Sequence, residues 1–399
     1  MSSDTIPTRT RLPVLLILVA LLGACTSIER RPVPEELAHD ARLPGFGSVR
    51  CFEKEFDPVL GPSLAASFAE ERSEDYGRDG AGRTIYPILA LSSGGSDGAF
   101  GAGLLHGWSE AGDRPIFKIV TGVSTGALIA PLAFLGRAYD PLLKELYTEL
   151  TRDDIAESKN PLAFFYSDSL ASNEPLVQLV RKHVDESMLA RVAEEHRAGR
   201  RLYIGTTNLD LQRLVIWDMG AIATSGQDGA LRLFQEVMLA SSAIPVVFPP
   251  IYFEVEAGGE FYDEIHVDGS VRSLMFLPQV ITRRLGDLGE SGSWTRLFIV
   301  RNGQLSWTFE AVEPTVTAIA GRTILTLLQS MAKEELESLF LVARADGVDF
   351  NVTAIPPDYV RENKEEFDRD EMRRLFAVGR RLALEGGAWM KAPPGFTLD

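Results

Sequence analysis

Positive charge is scarce in this chain. Its 399 residues carry 40 Lys and Arg against 56 Asp and Glu, a formal net charge of −16. Phosphate backbones would be repelled, which excludes nucleic acid as a partner. Electrostatic docking on anionic lipid is excluded too, so any membrane contact needs another anchor. Histidine numbers five, at positions 39, 106, 183, 196 and 266. None follows His266, so a hydrolase with the chain order serine, acid, histidine has no late histidine to use; His266 could act only with an earlier acid such as Asp210 or Asp218. It has no Cys or His partners at metal-ligand spacing, and no metal or other cofactor is assigned. Cysteine occurs twice, as Cys25 and Cys51. A bilayer-spanning run is also missing: the apolar stretch Leu12 to Leu22 falls short of the roughly 20 residues required. Preceded by Arg9 and Arg11 and followed by small residues, it fits the hydrophobic region of a cleaved export signal.

What remains is globular composition, 45% hydrophobic and 24% charged, enough for a substantial core. Residues 25–84 are rich in proline, glycine and charge and read as a tether with a short helical segment, "SLAASFAEERSE". From Ile85 the pattern turns regular. "IYPILALS" and "FKIVTGVS" read as buried strands, each leading into a helix. "DPLLKELYTELT" and "EPLVQLVRKHVDESMLARVAEEH" have helical spacing. "RLYIGTTNLD" and "RLVIWDMG" read as strands joined by a turn, and "LRLFQEVMLASSA" as a helix stopped by Pro245. "EIHVDGS", "TRLFIVRNG" and "VDFNVTAI" are further strands. Helices are expected over 314–343 and 368–384. Such alternation predicts a mainly parallel sheet covered by helices on both faces, with sites beyond the carboxyl ends of its strands.

Two glycine-rich junctions fall at such ends. The first is "LSSGGSDGAFGAGLL", residues 91–105, whose glycines cost helix stability and so point to a need for bare backbone. The second, "TGVSTGAL", contains G-x-S-x-G at Gly122, Ser124 and Gly126. That spacing suits a serine pushed out of a strand-to-helix turn, at a helix start whose free N–H groups favour negative charge. A third piece, "HVDGS", puts Asp268 and Gly269 at a strand end. "LASSAIPVVFPP" precedes it.

Glycine loop, G-x-S-x-G and D-G, in this order, resemble the patatin-like phospholipase family, as do "LASSAIPVVFPP" and "GTTNLD". The resemblance covers roughly residues 85 to 277, more weakly to 355. It implies a three-layer α/β/α sandwich and a Ser–Asp dyad, with Ser124 as nucleophile and Asp268 as base. Backbone amides of Gly94, Gly95 and Ser96, joined by Thr125, would form the oxyanion hole. The substrate implied is a lipid acyl ester, cleaved through an acyl-enzyme without a cofactor. A thioesterase or acyltransferase would use the same residues. The alternative is a non-catalytic lipid-binding or envelope scaffold on the same fold. One departure stands out: the family pattern D-G-G-G-x-R/K-G carries a basic residue where this chain has Asp97. Asp97 reads as a helix cap, or else as a charge disfavouring anionic head groups. An aspartate is a useful base only in a partly dry pocket that raises its basicity. The runs "VVFPPIYF" and "LAFFYSDSL" could supply dryness, with Phe164, Phe165 and Tyr166 as a lid, an acyl-chain wall or simply a packed loop.

The ending "LLGAC" resembles a bacterial lipobox. It implies a signal peptide over 1–24 and a lipid-modified Cys25 as the first mature residue, anchoring the protein in the cell envelope. Thr26, in place of an aspartate, favours the outer membrane. Cys51 is then alone and no intramolecular disulfide forms. The expected organisation is signal (1–24), tether and N-terminal segment (25–84), hydrolase domain (85–355) and a C-terminal helical extension packed on it (356–399).

Overall fold

A computed structural model describes residues 30–159, 168–278, 281, 293–307, 309 and 311–396. The signal segment, Cys25 and the trio Phe164, Phe165 and Tyr166 lie outside the described residues. The strands are β1 (Arg50–Phe52), β2 (Thr84–Leu91), β3 (Ile119–Gly122), β4 (Glu157–Ser158), β5 (Ala171–Ser172), β6 (Arg201–Asn208), β7 (Arg213–Asp218), β8 (Ile251–Ala257), β9 (Glu260–Asp268), β10 (Ser293–Gln304) and β11 (Asp349–Ile355). β4 and β5 form a small separate ribbon.

Five strands run parallel in the spatial order β6-β3-β2-β10-β11. Antiparallel β7 and β1 extend one edge. Alternate residues of each central strand enter different cores, as the pleat requires. Leu89 and Leu91 of β2, Leu202 and Ile204 of β6, and Phe298 and Val300 of β10 share one cluster. Ile88 and Ala90, Tyr203, and Leu297 and Ile299 belong to the other. Helices Gly98–Ala111, Thr125–Leu135, Ala230–Ser241 and Arg369–Leu384 contribute to the first cluster. Leu336 and Phe340 of the helix Val316–Ala345 contribute to the second. The architecture is thus a mainly parallel sheet between two helical layers.

Three segments differ from their reading in the sequence. The helical run 174–196 is two helices, Glu174–His183 and Glu186–Arg197. Asp185 breaks it in an extended conformation and accepts from the Met188 N–H at 2.9 Å, capping the second helix. The apolar run "VVFPPIYF" leads into β8, which turns through Gly258 and Gly259 into β9. The alternation in "FEVEA" and the Gly-Gly pair were its signals. Finally, the stretch set apart by composition as a tether supplies β1 and the buried Phe56, Leu60 and Leu64.

At the other end, helix Arg369–Leu384 lies against helix Gly98–Ala111. A Cβ at Gly103 would stand 2.0 Å from the Phe376 carbonyl oxygen, and one at Gly379 2.1 Å from that of Phe100. Gly103 and Gly379 therefore let the two backbones touch, which accounts for one glycine of "GAFGAGLL" by packing rather than chemistry.

Candidate active site

β3 and β9 occupy the same edge of β6 from opposite directions. β3 pairs with residues 201–204 of β6 and β9 with residues 206–208. Their carboxyl ends therefore converge, and each ends at one of the expected residues. Asp268 closes β9 opposite Thr206. Ser124 follows β3 by two residues, at φ +56° and ψ −125°, a left-handed conformation that a serine holds only when its surroundings impose it. Gly126 permits the turn: a Cβ there would lie 2.4 Å from the Leu91 carbonyl oxygen.

The imposing contacts come from "LASSA". The Ser124 N–H donates to Ser241 Oγ at 3.0 Å, and Ser241 Oγ donates to the Gly205 carbonyl at 2.7 Å. The Asp268 N–H donates to the Ala243 carbonyl at 2.9 Å. One short segment, 241–243, thus holds both residues. Ser241 belongs to no motif of its own, and the run of small residues is its signal in the sequence.

Asp268 is wholly buried. Its Oδ1 accepts from the Ser270 N–H at 2.8 Å, whereas Oδ2 has no hydrogen-bond partner of full geometry. Burial pushes the carboxyl up to about 6, while the neighbouring Ser124 hydroxyl and Ser270 pull the other way. Ser124 is therefore close enough to stabilise the carboxylate without forming a well-aligned bond in the resting protein. A carboxylate so placed can accept a proton from that hydroxyl.

His266 belongs to a different network. Its Nδ1 meets Thr206 Oγ1 at 2.8 Å and its Nε2 meets Glu264 Oε2 at 3.0 Å. Trp217 Nε1–H already donates to Thr206 Oγ1. The Glu264 carboxylate can only accept, so Nε2–H donates to it, and in the neutral ring that burial favours Nδ1 then accepts from the Thr206 hydroxyl. Glu264 also pairs with Arg50. Both ring nitrogens are spent on structure.

The glycine loop lies beside the serine. Gly95 (φ +54°), Ser124 and Thr125 line one cavity with about 950 Å³ of empty volume, open to solvent. Its wall is almost entirely apolar, with Leu128, Leu146, Leu176, Met188 and Phe248 among its residues. Among the described residues nothing accepts from the N–H of Gly95 or Thr125. Two of the expected oxyanion donors thus face the cavity with Ser124. Gly94 instead packs its backbone on Asn302, where a Cβ would fall 2.1 Å from the carbonyl oxygen. Ser96 is engaged elsewhere: its Oγ donates to Glu366 Oε2 at 2.6 Å and its N–H reaches the same oxygen at 3.4 Å.

Asp97 departs from the cap reading. It makes no capping hydrogen bond to its helix and pairs with Arg361 instead. Burial raises its pKa to about 6 against the pull of Arg361. Arg361 and Glu366 come from the segment before the last helix, and Phe367 and Met372 line the cavity. No local sequence signal linked that segment to the loop. Beneath the loop, buried Arg301 donates to the Ser93 carbonyl at 2.9 Å. Among the described residues, no three His, Cys, Asp or Glu side chains cluster as metal ligands.

Residues 89–280 match the family described as patatin-like phospholipase. No curated protein matches the chain in sequence. Among solved structures, VipD from Legionella pneumophila shares 12% identity at a TM-score of 0.36, covering 78% of this chain and 70% of that one. Human GIVD cytosolic phospholipase A2, in complex with methyl gamma-linolenyl fluorophosphonate and terbium chloride, shares 11% at 0.32, covering 89% of this chain and 64% of that one. Both likenesses are too loose to carry an argument.

Proposed function

We propose, from the premise that the chain carries a patatin-like phospholipase domain over residues 89–280, that it is a serine lipid acyl hydrolase working through Ser124 and Asp268. The observation that carries this reading is the buried Asp268 carboxylate. It has one oxygen unpartnered and its pKa pushed up to about 6, beside a serine at the head of an apolar cavity. An acyl chain fits that cavity by polarity, and its ester carbonyl would then lie at Ser124. Ser124 Oγ attacks the carbonyl carbon while Asp268 accepts the hydroxyl proton. The N–H groups of Gly95 and Thr125 receive the developing oxyanion. Collapse breaks the ester bond, and the alcohol leaves with the proton from Asp268. Water then attacks the acyl-enzyme, giving its proton to Asp268; the fatty acid leaves and the proton returns to Ser124 Oγ.

The test is release of fatty acid from short-chain esters and from phospholipid. Loss of nearly all turnover in both Ser124→Ala and Asp268→Asn, with folding intact, supports the dyad. A fluorophosphonate probe that fails to label Ser124, together with no turnover, would instead leave a lipid-binding scaffold. The engagement of Ser96 by Glu366 is the observation that favours that second reading. Anchoring through a lipidated Cys25, with residence in the cell envelope, belongs to the same proposal. Metabolic labelling with an alkyne fatty acid, abolished by Cys25→Ala, tests it.

A further inference from the structure

The helix Val316–Ala345 is buried along only part of its length. Ala332, Leu336, Phe340 and Ala343 pack on the sheet, whereas Val316, Ile319, Ile324, Leu325 and Leu327 are each more than half exposed. The sixteen residues before Ala332 span roughly 24 Å at the α-helical rise. They project past the carboxyl edge of the sheet. β10, whose Val300 is level with Leu91 and thus with Gly122, ends at Gln304 on that side. Glu335 reinforces the placement by accepting from the Leu274 N–H, while the Ser93 N–H donates to the Leu274 carbonyl. Helix and glycine loop therefore share an edge. Gln329 Nε2 donates to the Ser306 carbonyl, joining the projection to exposed Trp307 and Phe309.

From this surface, and resting on the lipid hydrolase reading, we propose that the projecting turns, with Trp307 and Phe309, insert into the acyl region of a zwitterionic lipid bilayer. Insertion would hold the Ser124 edge against that bilayer. Two observations select lipid as the occupant. Hydroxyls on the projection turn inward: Thr323 Oγ1 donates to the Ile319 carbonyl, Thr326 Oγ1 to that of Arg322 and Ser330 Oγ to that of Thr326. Polar groups satisfied within the helix are what a hydrocarbon environment demands. Charge is the second. Residues 314–332 contain one charged side chain, Arg322, and the stretch that joins them to Trp307 and Phe309 adds Glu310 and Glu313, in a chain of net charge −16. A face this poor in charge suits a lipid surface with no net charge, while the rest of the molecule is repelled by anionic lipid. No helix among the described residues is long and apolar enough to cross a membrane, so the contact is interfacial.

The experiment uses the full chain with phosphatidylcholine vesicles carrying brominated acyl chains, which quench indole emission only within the bilayer. The expected result is quenching that disappears in Trp307→Phe and in Ile324→Asp/Leu327→Asp. The Asp pair should also lower hydrolysis of vesicle lipid about tenfold, with turnover of a water-soluble short-chain ester unchanged. If the Asp pair does not fold, a Ser pair at the same positions takes its place. Quenching that is absent in the wild type overturns the inference, as does a self-association that the pair abolishes while leaving vesicle behaviour untouched. Quenching needs no turnover, so failure of the hydrolase reading appears separately, as inactivity on the soluble ester.

Discussion

As the proposed base, Asp268 meets two opposed demands. Its burial raises the pKa to about 6, which makes it a stronger base but leaves the ionised form costly to hold in the fold. The base must be ionised, so kcat/KM on a neutral ester should rise with pH through about 6 and then level; a pH–rate profile checks this. The stability effect has the opposite sign. A folded pKa above the ordinary aspartate value of 3.8 gives a contribution fully present below about pH 4 and lost as pH rises through about 6. Asp268→Asn should therefore be inactive yet more stable than wild type by about 2–3 kcal/mol at pH 8. That gain should vanish near pH 4, as read from urea midpoints at the two pH values. Glu366 makes a second residue-scale prediction. Its carboxylate accepts from the Ser96 N–H, so Glu366→Ala should free a donor at the loop and raise kcat on short-chain esters by about tenfold. An unchanged or lower rate would mean that the Ser96 amide takes no part. The placement of Ser124, Asp268 and the loop at the ends of strands was legible because G-x-S-x-G, D-G and a glycine run are local. Glu366 lies 270 positions from Ser96, and nothing local ties such residues together.

At the scale of elements, the strand-to-helix turns were readable from apolar runs and glycine spacing, but the groups that hold them were not. The segment 241–243 supports both Ser124 and Asp268 through their main-chain N–H groups, which donate to Ser241 Oγ and to the Ala243 carbonyl. Ser241→Ala orphans the Ser124 N–H and the Gly205 carbonyl, at about 1–3 kcal/mol each. It should lower kcat at least tenfold while leaving KM near wild type, the signature of a displaced nucleophile; steady-state kinetics decide it. The cavity is likewise an assembly of helices: Leu128, Leu146, Leu176 and Met238 reach it from four of them. Met188→Trp should fill its far part and shift the preferred ester toward shorter acyl chains, measured as relative kcat/KM across a chain-length series. A variant with the wild-type profile would show that acyl chains lie elsewhere. The hairpin β8–β9 and the break at Asp185 show in the sequence as alternation and as a capping residue. A strong apolar run and a helical period mask them.

Across the whole molecule, the division of labour follows from range. The order of strands and helices, the mainly parallel class, the serine turn and the strand-end aspartate are written in residues a few positions apart. Backbone sterics and side-chain period act over those distances. Composition also settled the electrostatic character, a chain of net charge −16 that cannot rely on charge to find anionic partners. What folding alone decided is convergence. β3 and β9 meet end to end along β6 because an antiparallel strand takes the edge that a short parallel strand leaves open. That meeting brings residues 124 and 268 together in a dry site. The strand Arg50–Phe52 joins the sheet because its buried residues find a partner in β7, although their surroundings in sequence look like linker. The C-terminal segment reaches the glycine loop because Gly103 and Gly379 let two helices touch. Such contacts depend on the shape of surfaces formed only after the sheet has assembled, and so no stretch of sequence read by itself contains them.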